Sequence, residues 1–262
     1  MTEHRSLSDV FAATREANRA ALIGYLPAGF PSRKQSADAF RALVDGGCDI
    51  VEVGMPYSDP VMDGPTIQAA ATKALADGTK IADLLTIVEA ISTHGGVPVV
   101  MTYWAPVTRY GVDAFARDLA NAGGRGLITP DLIPDEAGEW LVASEQHGLD
   151  RIFLVAPSST DERLAMTTSR CSGFVYAASS MGVTGARDQI GDLAPRLVER
   201  TRRVTDLPIG VGLGVRTPEH VREVASYADA VIVGSAFVTA VDHDLRQAGE
   251  LVTALREATA RS

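Results

Sequence analysis

A chain of 262 residues, 46% hydrophobic and 22% charged, has the makeup of an ordinary globular protein with ample core. Its formal net charge of −9 argues against a nucleic-acid-binding face, which needs clustered Lys and Arg. Cys48 and Cys171 form no metal or redox spacing, and no stretch has the apolar length of a signal peptide or membrane span, so a reducing cytoplasm is the expected compartment, away from any membrane.

In chain order, residues 6–17 read as a short amphipathic helix capped by Ser6 or Ser8. A first apolar strand is predicted over 21–26, then a helix capped by Ser32 that runs to about Val44 and ends at Gly46-Gly47. The second strand begins at Ile50. Helices follow from about Thr66 to Ala76 and over 81–92. The third strand covers 97–103 with its helix over 112–122, and the fourth covers 126–129 with a helix over 135–147. The later pairs are strand 151–155 with a helix near 161–169, strand 174–177 with 193–204, and strand 208–211 with 218–226. An eighth strand covers 230–233, and the rest, to about Ala260, is largely helical.

That is about eight strand-then-helix units with no linker or low-complexity run between them. Short strands apolar on both faces, such as A-V-I-V and R-I-F-L-V, suit a parallel sheet covered by helices. Eight units in this length predict a single (β/α)₈ TIM barrel domain over 1–262, with a short extra N-terminal helix. The alternative is a doubly wound open sheet. Its usual G-x-G-x-x-G after the first strand is missing, because that strand leads into P-A-G-F-P.

The stretch I-V-E-V-G-M-P-Y-S-D-P-V-M-D-G carries the most chemistry. Side chains alternate along a strand, so Val51 and Val53 face one way and Ile50 and Glu52 the other. A carboxylate inside a β-branched run is expensive to bury unless something uses it. Asp59 and Asp63 follow in a loop punctuated by Pro56, Pro60 and Pro65, an arrangement able to aim two acids of different environment into one pocket. The plainer reading has Glu52 paired with a buried Arg and both aspartates as turn or cap residues.

Barrel chemistry sits at the C-terminal strand ends. There the chain offers Thr102 and Tyr103, Pro130 and Asp131, Tyr176 with S-S-M-G-V-T-G-A-R, G-V-G-L-G-V-R after strand seven and V-G-S-A after strand eight. Glycine-rich turns at strands seven and eight, with Ser235 opening a helix, present backbone N–H groups suited to a phosphate. Gly212 and Gly214 read equally as tight turns, and Gly234 with Ser235 as a helix cap. Lys34, Lys73 and Lys80 lie away from strand ends, which argues against a Schiff-base lysine. No histidine lies on a strand end either, so no metal cluster is expected. Acid–base work by carboxylates on a phosphorylated substrate remains, with Tyr103 and Tyr176 as pocket walls, hydroxyl helpers or plain core.

The blocks V-E-V-G-M-P-Y-S-D-P-V-M-D-G-P-T-I-Q, Y-A-A-S-S-M-G-V-T-G-A-R and V-G-L-G-V-R-T-P-E closely resemble the α subunit of tryptophan synthase. The resemblance covers nearly the whole chain. It implies a (β/α)₈ barrel that splits indole-3-glycerol phosphate into indole and glyceraldehyde 3-phosphate, within an αββα complex. The indole would pass to a β subunit that holds pyridoxal phosphate, with no cofactor on this chain. It places Glu52 at the general acid/base and Asp63 at the carboxylate that holds the indole N–H. Gly185, Gly214, Gly234 and Ser235 match phosphate-binding positions, and Tyr25, Tyr103 and Tyr176 match aromatic positions around the substrate. Thr184 matches a threonine of the loop after strand six, and Pro56, Tyr57, Asp59 and Pro60 a loop that meets the β subunit. Ala105 departs from the asparagine common in the family, which bears on contacts to that partner. A phosphosugar isomerase barrel and a non-catalytic activating subunit are the rival readings, and the strand-two block with both acids intact disfavours them.

Overall fold

The computed structural model describes residues 5–178, 192–212 and 214–261. Among these, eight parallel strands close into a barrel in sequence order: β1 (Ala21–Pro27), β2 (Ile50–Gly54), β3 (Pro98–Met101), β4 (Gly126–Thr129), β5 (Asp150–Val155), β6 (Val175–Ala178), β7 (Ile209–Gly212) and β8 (Ala230–Val233). The helices are α1 (Leu7–Glu16), α2 (Ser36–Gly46), α3 (Pro65–Ala76), α4 (Ile81–Thr93), α5 (Trp104–Tyr110), α6 (Val112–Asn121), α7 (Gly138–His147), α8 (Asp161–Thr168), α9 (Leu193–Arg202), α10 (Pro218–Ala225), α11 (Ser235–His243) and α12 (Leu245–Glu257). The expected TIM barrel is therefore the observed one.

Strand alternation divides the core into two layers. Val51, Val53, Leu127, Phe153 and Val231 face outward and pack under the helices. Ile23, Ile50, Val99, Ile128, Ile152, Phe174 and Ile232 fill the barrel interior. Helix α1 closes the N-terminal end. Ser6 caps it by accepting the Asp9 N–H, Asp9 returns the bond to the Ser6 N–H, and Leu7, Val10 and Phe11 join the interior cluster. The Phe11 ring lies 5.8 Å from that of Phe174. Below the same end, Arg19 holds Asp49 through two 2.7 Å bonds, and Asp49 also accepts the Leu22 N–H at 2.8 Å. These groups close the N-terminal end of the barrel.

Three expectations need correction. Ser32 does not cap α2: it accepts the Gln35 N–H within the preceding turn, and the helix starts at Ser36. Strand three stops at Met101, because both carboxylate oxygens of Asp131 accept the Trp104 N–H and start the unforeseen α5. The stretch expected as one helix over 135–147 is a 3₁₀ turn, Pro134–Glu136, and then α7. The stretch after β8 is largely helical as expected, in two helices that meet at Asp244, whose carboxylate caps α12 through the Arg246 and Gln247 N–H groups.

Candidate active site

The site grows out of β2. Its β-branched residues hold the strand between β1 and β3, and alternation turns Glu52 inward at the level where Ile50, Val51 and Val53 are fully buried. Glu52 is 1% exposed, and its Oε2 has no hydrogen-bond partner. Among the described residues no Arg or Lys forms an ion pair with it, so none of them supports the buried-arginine reading. Burial pushes its carboxyl up to about 8, with the nearby Asp63 charge adding to the shift. At neutral pH such a group holds its proton yet can release it.

Asp63 stands at the end of the strand-two loop, beside Gly64, the N-cap of α3. Its backbone carbonyl accepts Gln68 Nε2–H at 2.8 Å. Burial raises its carboxyl as well, so its surroundings are drier than a proline-rich loop suggested. Asp59 lies apart on the exposed outer loop, where its carboxylate accepts the Ser58 hydroxyl at 2.5 Å. Of its neighbours, Pro56 is buried and Tyr57 and Pro60 are half-buried.

Three tyrosines gather around the two acids. Tyr25 on β1 pairs in register with Glu52 on β2. Its hydroxyl is held well above the ordinary phenol range by burial, and further by the charges of Asp63 and Glu52. Tyr176 on β6 is raised by burial and by the same two acids. Both rings reach their places because a glycine stands opposite. A Cβ on Gly54 would run into Tyr25, and one on Gly212 into the Tyr176 hydroxyl. Tyr103 follows β3, and its hydroxyl oxygen accepts the N–H groups of Val61 and Met62 at 2.9 and 3.1 Å. Sequence reading missed this last role, since a side chain that holds a backbone 42 residues away leaves no local signal.

Gly214 has a φ of 45°, and Gly234 is the N-cap of α11, which Ser235 opens. A Cβ on Gly234 would lie 3.4 Å from both Tyr25 and Ile67, which sets this helix end against the tyrosine beside Glu52. The first N–H groups of a helix have no partner within it, so this end can receive an anion. Thr184 and Gly185 lie outside the described residues. Among the described residues no cluster of His, Cys, Asp and Glu is arranged to hold a metal ion. His94 and His147 instead pair at 2.7 and 2.9 Å with Asp45 and Asp113 on the outer helices. No helix of the described residues is long and apolar enough to cross a membrane.

Comparison with known proteins agrees with this geometry. The family model for tryptophan synthase alpha chain matches residues 11–261. A tryptophan synthase alpha chain from Mycobacterium avium is 65% identical over 235 residues, which is 90% of this chain and 87% of the relative. That of Mycobacterium tuberculosis is 61% identical over 259 residues, 97% of this chain and 96% of the relative. A chain in a solved tryptophan synthase structure from Mycobacterium tuberculosis superposes with a TM-score of 0.95 at 60% identity, covering 99% of this chain and 100% of that one. A tryptophan synthase subunit alpha from Legionella pneumophila str. Paris, at 30% identity, still gives a TM-score of 0.86 over 97% of each chain. The chain belongs to the tryptophan synthase alpha chain family.

Proposed function

We propose that Glu52 and Asp63 carry out in this chain the reaction of its family, the retro-aldol cleavage of indole-3-glycerol phosphate into indole and glyceraldehyde 3-phosphate. The reaction itself, a carbon–carbon lyase step of tryptophan biosynthesis, follows from membership. The observation that supports the assignment of residues is the carboxyl of Glu52, buried on the inner face of β2 with Oε2 unpartnered among the described residues and raised to about 8.

Cleavage at indole C3 needs a proton delivered to that carbon and another taken from the glycerol hydroxyl. One carboxyl can do both if its pKa stands near the working pH. Glu52 gives its proton to C3 and, as carboxylate, takes the hydroxyl proton as the carbon–carbon bond opens to the aldehyde. Positive charge grows on the indole ring as C3 is protonated, and Asp63 accepts the ring N–H and stabilises that charge. Tyr25 and Tyr176 wall the indole. The phosphate is held at the far end by backbone N–H groups at Gly214 and at Gly234 and Ser235, the N-terminus of α11. By family resemblance Gly185 is assigned to the same phosphate contacts, and Thr184 to the loop after strand six. These steps use carboxyl groups alone, and no cofactor is placed on this chain.

The partner is a β subunit bearing pyridoxal phosphate, in an αββα assembly in the cytoplasm. Its docking loop is the strand-two segment with Pro56, Tyr57, Asp59 and Pro60, of which Asp59 is open to solvent. The test is direct: Glu52→Gln should leave binding of glycerol phosphate intact and slow indole release by about 10²–10⁴-fold, as loss of a positioned acid/base does. A variant that releases indole at the parental rate would remove Glu52 from the mechanism.

A further inference from the structure

We propose that Tyr103 is a positioning residue for Asp63: its hydroxyl fixes the strand-two loop from which the carboxylate is presented. The inference rests on the reading of Asp63 as the group that accepts the indole N–H.

The geometry is a tether on each side of the acid. On the N-terminal side, the Tyr103 hydroxyl oxygen accepts the N–H of Val61 at 2.9 Å and of Met62, the residue before Asp63, at 3.1 Å. On the C-terminal side, Gln68 Nε2 donates to the Asp63 carbonyl at 2.8 Å. The tyrosine is itself immobilised. It is 6% exposed, and its ring stacks on Tyr57 of the same loop with centroids 5.0 Å apart at 29°. The next residue, Trp104, is anchored through its N–H to Asp131.

The outer part of the loop is open to solvent. Ser58 and Asp59 are exposed, and Val61 is 73% exposed. A phenol oxygen has two lone pairs, and two N–H donors occupy both, so this hydroxyl is left with only its own proton to donate. It therefore cannot serve as a base for the substrate. Its work is on the loop, and through the loop on where Asp63 stands. A displacement of about 1 Å in a catalytic group can cost on the order of 10²-fold in rate, so a two-bond tether next to the acid is enough to matter.

Tyr103→Phe keeps the ring and its stacking on Tyr57 while removing the acceptor. Steady-state cleavage of indole-3-glycerol phosphate by the full chain should show kcat reduced by about 10–100-fold with KM little changed. Affinity for glycerol 3-phosphate, measured by calorimetry, should stay at the parental value, since the phosphate end lies on β7 and β8. The titration assigned to Glu52 in the pH–rate profile should move to lower pH, because the Asp63 charge that helps raise it has moved away. Val61→Pro removes one donor at an exposed site without touching the tyrosine, and should reproduce the kcat loss in part. It also answers the question if the Phe variant proves unfolded. An unchanged kcat with a raised KM in Tyr103→Phe would make Tyr103 a wall of the indole pocket and overturn the inference. Parental kinetics in both variants would overturn it too. Asp63→Asn in the same series separates the two levels: if it is inactive while Tyr103→Phe and Val61→Pro are parental, only the tether fails. If Asp63→Asn is itself parental, the role of Asp63 fails.

Discussion

Glu52→Gln should make the protein more stable, and the gain should grow with pH. The carboxyl of Glu52 titrates near its ordinary 4.5 in the unfolded chain and at about 8 in the folded one. Below about pH 4.5 it is protonated in both states, and folding bears no charge-burial cost. Between the two values the unfolded chain releases the proton and the folded chain keeps it, so stability falls as pH rises. The loss is complete above about 8, where the carboxylate is ionised in a buried site that forms no ion pair with it among the described residues. At 1.36 kcal/mol per unit, the full window corresponds to about 5 kcal/mol, an upper bound because a buried site relaxes and admits water. Glutamine has no such titration. Denaturant unfolding of both proteins at matched pH values across this window should give a stability difference that widens toward alkaline pH, by several kcal/mol overall. A difference that stays flat with pH would show that the Glu52 carboxyl is not held in the neutral form, and with it the proton-shuttle chemistry would lose its physical basis.

Other expectations follow from the same geometry. Asp63→Asn should lower the rate of indole formation by about 10²–10⁴-fold in a steady-state assay, with the fold intact by circular dichroism. Gly234→Asp has room for its Cβ but sets a negative charge where the phosphate is received, so KM should rise sharply, whereas Arg216→Ala should change it little. Loss of glycerol phosphate binding in Arg216→Ala would instead assign the phosphate to a cation. In titrations with the β subunit, Asp59→Ala should weaken activation of indole release, and an activation curve equal to the parental one would free this loop of any role in coupling. Pro56→Ala is the poorer probe, because Pro56 is buried and its truncation also leaves a cavity. Ala105→Asn, at an exposed position in the first turn of α5, should tighten the complex by about 1 kcal/mol, the net worth of one hydrogen bond, as read in the same titrations.

Much of the barrel was legible because its signals are local. Glycines such as Gly47 and Gly148, with φ of 105° and 66°, end helices where a left-handed residue is needed, and β8 reads directly from A-V-I-V. What escaped depends on partners distant in sequence. Helix α5 starts because Asp131 supplies an acceptor 27 residues away, and nothing in W-A-P-V announces it. Ser32 looked like a helix cap, yet its hydroxyl serves a turn that comes first. The site divides in the same way. Glu52 stood out as a carboxylate in a β-branched run, and alternation gave its direction, but the burial of its Oε2 without a hydrogen-bond partner among the described residues is a property of the closed barrel. Tyr25 entered only through family resemblance, although its register opposite Glu52 explains its place. The tether from Tyr103 to Val61 and Met62 joins two loops that only the fold brings together.

The central claim is that a buried glutamate, Glu52, shuttles the proton. It is tested most directly by single-turnover cleavage of indole-3-glycerol phosphate, with the purified chain in excess and a chelator present, comparing the parent with Glu52→Gln. The parent should release indole at a rate that titrates at about 8, and the variant should bind glycerol phosphate equally well yet fall by about 10²-fold or more. Indole release by Glu52→Gln at the parental rate, with the same pH profile, would contradict it.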